Sequence, residues 1–229
     1  MAAEPEERLR ALQAIGSLCS PNEKAQWASH ALNDTDATIR AMAAKQLGNA
    51  GSPATEMAES QLVSLLADTD PDVRFESSRA LVRLKSTRTN LAIPVLFSFL
   101  DESETHALMI AAVVNALVET DLPHETVIEG LQPRLKKLID HERAEVREAI
   151  ANAFAKWPIM AASLSETLLP LLDDPEPLVR EKIANALGEA GIVNDNIKSA
   201  LESASHDEDT EVARVAREAL DKLNFKHQP

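Results

Sequence analysis

Imidazole and carboxylate side by side can hold a metal ion, and the chain offers two such pairs, His124-Glu125 and His141-Glu142. A two-metal site needs two pairs facing each other from rigid elements. His141 falls in a turn and His124 beside an irregular stretch, so their placement argues against that chemistry. A second set of carboxylates stands at alternate positions: Asp34 with Asp36, Asp68 with Asp70, Asp207 with Asp209, and Asp174 in the equivalent place of its own segment. Alternate carboxylates suit calcium, but these segments lack the glycine and the distal glutamate of a calcium loop. Aspartate ahead of a helix has a plainer use, accepting hydrogen bonds from the unpaired amides of the helix start. The single cysteine, Cys19, has no identifiable activating partner. No Ser-His-Asp, Cys-His or phosphate-loop spacing is present. The expectation is a protein with no catalytic residue, no metal and no cofactor.

Two other sets point to contact rather than catalysis. Asn115, Asn152 and Asn185 can each donate to and accept from a peptide backbone, bond to one another's repeats, or simply be solvated. Phe75, Arg79 and Arg83 follow one another at steps of four, along one face of a helix. Lys45 precedes them and Lys85 and Arg88 follow. In an otherwise acidic chain this makes a locally basic end with an aromatic expected to be exposed, suited either to a partner with acidic segments or to no more than a solvated helix face. A further cluster, Arg134, Lys136 and Lys137, is expected to be solvated on an outer helix.

Composition limits what can position these residues. The 229 residues are 45% hydrophobic but only 3% aromatic, with no tyrosine. A core must then be built from Ala, Leu, Ile and Val, and alanine and leucine are the strongest helix formers. The formal charge of −14 lowers the prospect of nucleic-acid binding, which depends on clustered Lys and Arg. The start, Met-Ala-Ala-Glu-Pro-Glu-Glu, has no basic segment followed by an apolar one, so no signal peptide is expected. The longest stretch without charge, Thr105–Val118, falls short of the roughly 18 residues of a membrane span. With one cysteine and no disulfide, the expectation is a soluble, cytoplasmic protein.

The positioning elements come from repetition. Taking as anchor the residue that closes the first helix of each unit, Leu32, Leu66, Leu100, Ile139, Leu172 and Ser205 are separated by 34, 34, 39, 33 and 33 residues. Eight residues past the anchor stand Arg40, Arg74, Arg147 and Arg180. Fifteen past it stand Leu47, Leu81, Phe154, Leu187 and Leu220. The third unit fits with two residues added to its turn, which places Ile110 in the arginine column and Leu117 in the leucine column. The sixth has Ala213 in the arginine column, with Arg214 one step late. Thirteen past the anchor the column reads Lys45, Arg79, Asn115, Asn152, Asn185 and Glu218.

Each unit reads as two helices. Ser20-Pro21 with Glu23 makes a capping box, Ser52-Pro53 and Asp70-Pro71 start further helices, and L-G-N-A-G at 47–51 and L-G-E-A-G at 187–191 supply stops through Gly48, Gly51, Gly188 and Gly191. Pro123 and Pro133 frame an irregular region, expected as an enlarged loop or a broken helix. Residues from His227 to Pro229 are expected to fray. Trp27 and Trp157 read as packing residues, Trp157 filling the gap between the fourth and fifth units. The aspartate turns and the arginine column are expected to pair between neighbouring units. The ends are more polar than the middle, as capping repeats are.

L-A-D-T-D-P-D-V-R at 66–74, L-D-D-P-E-P-L-V-R at 172–180 and A-N-A-L-G at 184–188 carry a resemblance to HEAT repeats. It is closest to the short HEAT-like type of phycobilisome-lyase-related proteins and covers about residues 20 to 224. The resemblance implies an all-α chain wound as a right-handed superhelix, with six helical pairs and an N-terminal capping helix. First helices would form the convex side and second helices the concave one. It also implies one domain over residues 1–229, with repeats at 20–51, 52–87, 88–120, 121–157, 158–191 and 192–224. Some HEAT-repeat hydroxylases hold two irons with His-Glu pairs on inner helices; the matching places here are Arg147-Glu148 and Arg180-Glu181, so the ligand histidines are missing. Armadillo proteins use an asparagine ladder to grip extended peptide. The function expected is a non-catalytic scaffold or adaptor holding a partner protein or peptide on its concave face through Lys45, Phe75, Arg79, Arg83, Asn115, Asn152 and Asn185. The alternative is a lyase or chaperone-like subunit acting on a tetrapyrrole-bearing protein. A HEAT-fold DNA glycosylase is disfavoured by charge.

Overall fold

Alanine- and leucine-rich stretches broken by acidic turns leave the backbone one economical choice, and it is helix throughout. The computed structural model describes residues 4–51, 55–103 and 105–225. Helix α1 (Pro5–Leu18) comes first, then α2 (Pro21–Ala31) paired with α3 (Ala37–Ala50), α4 (Thr55–Leu65) paired with α5 (Pro71–Arg83), and, in sequence, α6 (Thr89–Asp101) and α7 (Ala107–Val118). Next come a π-helical segment (Thr126–Leu131) continued by α8 (Gln132–Leu138) and paired with α9 (Ala144–Lys156), and the short α10 (Pro158–Ser163) and α11 (Ser165–Leu168) with a 3-10 turn (Leu169–Asp173), paired with α12 (Pro177–Ala190). The last pair is α13 (Asp195–Ala204) with α14 (Thr210–Phe225). No strand occurs among the described residues. The chain forms two compact units, Met1–Glu102 and Ser103–Pro229.

In the first unit, α1 and α5 both pack on α3. Leu12, Ala28, Leu32, Ile39, Leu47, Leu62 and Leu81 close the core between them. Ser20 starts α2 as expected: the Glu23 amide donates to its hydroxyl, and its own amide donates to the Glu23 carboxylate at 2.9 Å. The Ser52-Pro53 start of α4 and the tail from His227 to Pro229 lie outside the described residues. Trp27, expected in the core, is 57% exposed. The buried stripe of α2 runs through Ala25, Ala28, Ser29 and Leu32, and residue 27 points about 150° away from its centre.

In the second unit the successive second helices α7, α9, α12 and α14 pack on one another. Helix α7 is buried nearly all round, with Met109, Ile110, Ala111, Val113, Val114, Ala116 and Leu117 inside. The region framed by Pro123 and Pro133 is a helix with a local change of pitch. Pro133 has no amide to give to an i−4 carbonyl, and just ahead of it the Gln132 amide reaches five residues back, to the Val127 carbonyl. The first helix of the fifth pair is broken into α10, α11 and the 3-10 turn.

Two glycines expected to stop helices do not. Gly48 and Gly188 lie inside α3 and α12, and the stops are Gly51 (φ 77°) and Gly191 (φ 66°). Gly188 is there for proximity: a Cβ on it would sit 2.7 Å from the Ala219 Cβ and 2.8 Å from its Cα. Absence of a side chain lets α12 and α14 touch backbone to backbone.

The arginine column stitches neighbouring repeats. Arg40 Nε and Nη2 donate to both oxygens of Asp68 at 2.9 and 2.8 Å, and Arg147 does the same to Asp174 at 2.7 and 3.1 Å. Arg180 does so to Asp207, at 2.7 Å twice. The third guanidinium nitrogen of each turns back to its own repeat: Arg180 Nη1 donates to the Asp174 carbonyl at 2.8 Å, and Arg40 Nη1 to that of Asp34 at 2.9 Å. Each aspartate also accepts the amide two residues on, as Asp207 does from Asp209 at 2.8 Å. The aspartates four past the anchor do the capping: Asp36 accepts from the Ile39 amide, Asp70 from Val73 and Asp209 from Val212. Arg8 of α1 supplies a rung of its own, donating to Asp34 at 2.8 Å from two nitrogens. The capping helix thus stands in second-helix register, with Arg8 and Gly16 spaced as Arg40 and Gly48 are.

The column changes character at its middle. Arg74 donates to the carbonyls of Asp68 and Thr69, but its fork lies 5.6 Å from the centre of the Phe99 ring instead of on a carboxylate. In the third repeat the arginine place is held by buried Ile110. In the fourth, His141 stands where the first, second, fifth and sixth have aspartate, its Nδ1 accepting from the Arg143 amide at 3.1 Å.

Candidate binding surface

In the second unit the column thirteen past the anchor emerges on the solvent side of the second helices. Asn115 of α7 is exposed, and Asn152 of α9 and Asn185 of α12 are half-buried. Residues on either side of each, such as Ala151 with Ala153 and Ala184 with Ala186, are buried. The side chains therefore leave the helix at the edge of a packed surface. No group among the described residues hydrogen-bonds to these three amides. Bonding between repeats, the competing use for an asparagine ladder, does not occur. One turn before Asn152 and Asn185 stand Glu148 and Glu181, also half-buried. The neighbouring arginines, Arg147 and Arg180, are turned into the ladder and do not neutralise them.

In the first unit the expected basic surface differs from its reading in two ways. Phe75 is 5% exposed, not a surface aromatic: it meets the edge of Phe99 of α6, centroids 6.3 Å apart at 89°. Burial of both rings against the next helix outweighs any gain from displaying one of them. Lys45, Arg79 and Arg83 are gathered, but around an acid. Glu76 lies among them, with Arg79 Nη1 3.3 Å from its carboxylate. Burial pushes its carboxyl above the usual range, while Arg79, Lys45 and Arg83 pull it back down. Arg83 also donates to the Asn49 side chain at 2.7 Å. The patch carries its own counter-charge. Lys85, with φ 49°, is the left-handed residue that ends α5.

The remaining candidates have local uses. The carbonyls of His141 and Glu142 accept from Arg147 at 2.9 and 3.0 Å, so that pair belongs to the ladder turn. Among the described residues no group of three or more His, Cys, Asp or Glu could hold a metal ion. Sequence reasoning missed Arg8, although its spacing to Gly16 repeats that of Arg180 to Gly188. It also missed Glu76, whose only sequence signal was its place one turn before Arg79 and two before Arg83.

The family model for HEAT repeats matches residues 31–118 and 128–221. The chain belongs to the HEAT-repeat family. As a HEAT-repeat chain it resembles solved α-solenoid structures along most of its length. An engineered protein is similar over 88% of this chain and 96% of its own, with 21% identity and a TM-score of 0.69. YibA of E. coli is similar over 99% of this chain and 77% of its own (17%, 0.63), and a Kap121p mutant over 97% of this chain and 26% of its own (16%, 0.68). At these identities the likeness concerns the fold. No curated protein matches the chain. No helix among the described residues is long and apolar enough to cross a membrane.

Proposed function

We propose that this HEAT-repeat chain is a non-catalytic scaffold that holds an extended segment of a partner protein along the second-helix face of its second unit. Asn115, Asn152 and Asn185 would bond the main chain of that segment, each amide giving one donor and one acceptor. The observation that carries the reading is that three asparagines on consecutive, packed helices reach solvent with no hydrogen-bond partner among the described residues. HEAT-repeat solenoids are typically protein-interaction scaffolds, which supports the same class of function. Lys45, Arg79 and Arg83 offer a second contact for an acidic segment of the partner, with Glu76 as its competitor; Phe75 has no part in it. The cytoplasm, where a lone Cys19 stays reduced, is the proposed setting.

The test is affinity capture with mass spectrometry, comparing the natural chain with the triple variant Asn115→Ala, Asn152→Ala, Asn185→Ala. Partners held by the ladder disappear from the variant while its melting temperature stays unchanged. Full retention of every partner rejects the ladder. The alternative of a lyase or chaperone-like subunit for a tetrapyrrole-bearing protein rests on the type of repeat alone; a change in bilin absorbance on mixing would favour it.

A further inference from the structure

We infer that the segment held by the asparagine ladder is basic, with Lys or Arg recurring about every third residue. The inference rests on the peptide-binding reading and gives it a charge and a spacing. Residues four apart on a helix are neighbours on one face, about 5–6 Å between Cβ atoms. Glu148 with Asn152, and Glu181 with Asn185, therefore place a carboxylate beside a backbone-binding amide on each of two packed helices.

These carboxylates are available. Glu148 makes no ion pair among the described residues, and Glu181 meets only its chain neighbour Lys182, at 3.6 Å. Other cations on these helices are engaged: Arg147 on Asp174, Arg180 on Asp207, and Lys156 near Asp121 at 3.8 Å. On α14, Lys222 is held by Glu189 at 2.6 Å. Residues 103–229 carry 23 Asp and Glu against 13 Lys and Arg, a net of −10 that draws cationic segments to this unit. This reverses, for the second unit, the acidic partner that the sequence suggested from Arg79 and Arg83.

The spacing follows from helix packing. Packed helices lie about 8–10 Å apart, and a polyproline-type extended chain advances about 9.3 Å in three residues, returning to the same side each time. One amide and one carboxylate on each of α9 and α12 thus fit a peptide that places cations three residues apart against these two helices.

The experiment uses the full chain and three fluorescent peptides of about twelve residues, Pro/Ala-rich, with Lys, Gln or Glu at every third position, followed by anisotropy. The Lys peptide is expected to bind at least about tenfold tighter than the Gln peptide and to weaken as salt rises from about 50 to 300 mM. Glu148→Gln with Glu181→Gln should weaken the Lys peptide about tenfold and leave the Gln peptide unchanged. Asn152→Ala with Asn185→Ala should weaken both. Circular dichroism melts confirm that each variant is folded. If Gln or Glu peptides bind as tightly as Lys, and the asparagine variant weakens them, the charge assignment is overturned while peptide binding stands. If the Lys peptide binds equally to all variants, attraction is diffuse and the assignment is overturned. No binding by any of the three overturns the ladder itself.

Discussion

Replacing Arg180 by alanine tests the view that the arginine column is structural. Its side chain is 8% exposed and that of its partner Asp207 11%. Removal deletes two 2.7 Å charge-assisted bonds to Asp207 and two weaker tethers, to the carbonyls of Asp174 and Pro175. Asp207 keeps only the Asp209 amide as a bonded partner and becomes an unpaired carboxylate in a desolvated turn. Removing one partner of a buried pair costs about 3–5 kcal/mol. The lower end applies here because water reaches the turn once the guanidinium is gone, so about 3 kcal/mol is expected. For a chain of this length that is a fall in melting temperature of roughly 6–12 °C. Arg214, half-exposed and paired with Glu211 and Glu218, is the control, and its alanine variant should lose far less stability than Arg180→Ala because solvent screens the pair. Urea denaturation of the natural chain, Arg180→Ala, Asp207→Ala and the double variant completes a cycle, with coupling of about 2 kcal/mol expected. An Arg180→Ala variant no less stable than Arg214→Ala, or one that loses partner binding at unchanged stability, refutes the reasoning.

Three further outcomes follow from the geometry. Gly188→Ala forces a Cβ to within 2.8 Å of the α14 backbone, so α12 and α14 must part; about 1–2 kcal/mol should be lost despite alanine's better helix propensity, and a thermal melt no lower than that of the natural chain would contradict the close contact. Lys85→Gly relieves a left-handed backbone at the end of α5 and should raise stability by about 0.5 kcal/mol, read from the urea midpoint. Hydrogen bonds from Arg8, Arg40 and Arg180 hold the carboxyls of Asp34, Asp68 and Asp207 below the usual aspartate range. Because the folded values lie below the unfolded one, near 3.9, the rungs contribute fully above about pH 4 and are lost as pH falls through the folded values. Denaturant midpoints from pH 6 to pH 2 should therefore drop mainly below pH 4, and a drop confined to higher pH would point to other groups.

Most of the fold was legible because repetition averages out local ambiguity. One Asp-x-Asp or one R-E pair says little, but Asp68, Asp174 and Asp207, each with an arginine from the repeat before, describe an interface. What stayed hidden depended on contacts the period does not encode. Phe75 looked exposed from its place on α5, and only Phe99, on the next helix, buries it. Gly48 and Gly188 read as helix ends because Gly51 and Gly191 follow so closely; their purpose is a neighbour about thirty residues on. Asn115, Asn152 and Asn185 could be named from the alignment, but that they lack partners required every other side chain to be placed. Glu148 and Glu181 match the glutamates of the iron enzymes' His-Glu pairs, with Arg147 and Arg180 in the histidine places, and only the placement of those arginines left them without an ion pair to a neighbouring repeat.

The change in the arginine column at Ile110 and His141 has a thermodynamic consequence. A stacked-repeat protein coheres through nearest-neighbour coupling, and its cooperativity is set by the weakest junction. Between α9 and α12 that coupling includes the rung from Arg147 to Asp174, and between α12 and α14 the rung from Arg180 to Asp207, the second of which acid dissolves. Between α7 and α9 the column contributes no ion pair, and cohesion rests on apolar side chains such as Val113, Val114 and Ile150, all fully buried. Apolar cohesion weakens on cooling, whereas protonation leaves it untouched. Two junctions of the second unit thus answer to different agents: acid loosens the one between α12 and α14, and cold the one between α7 and α9.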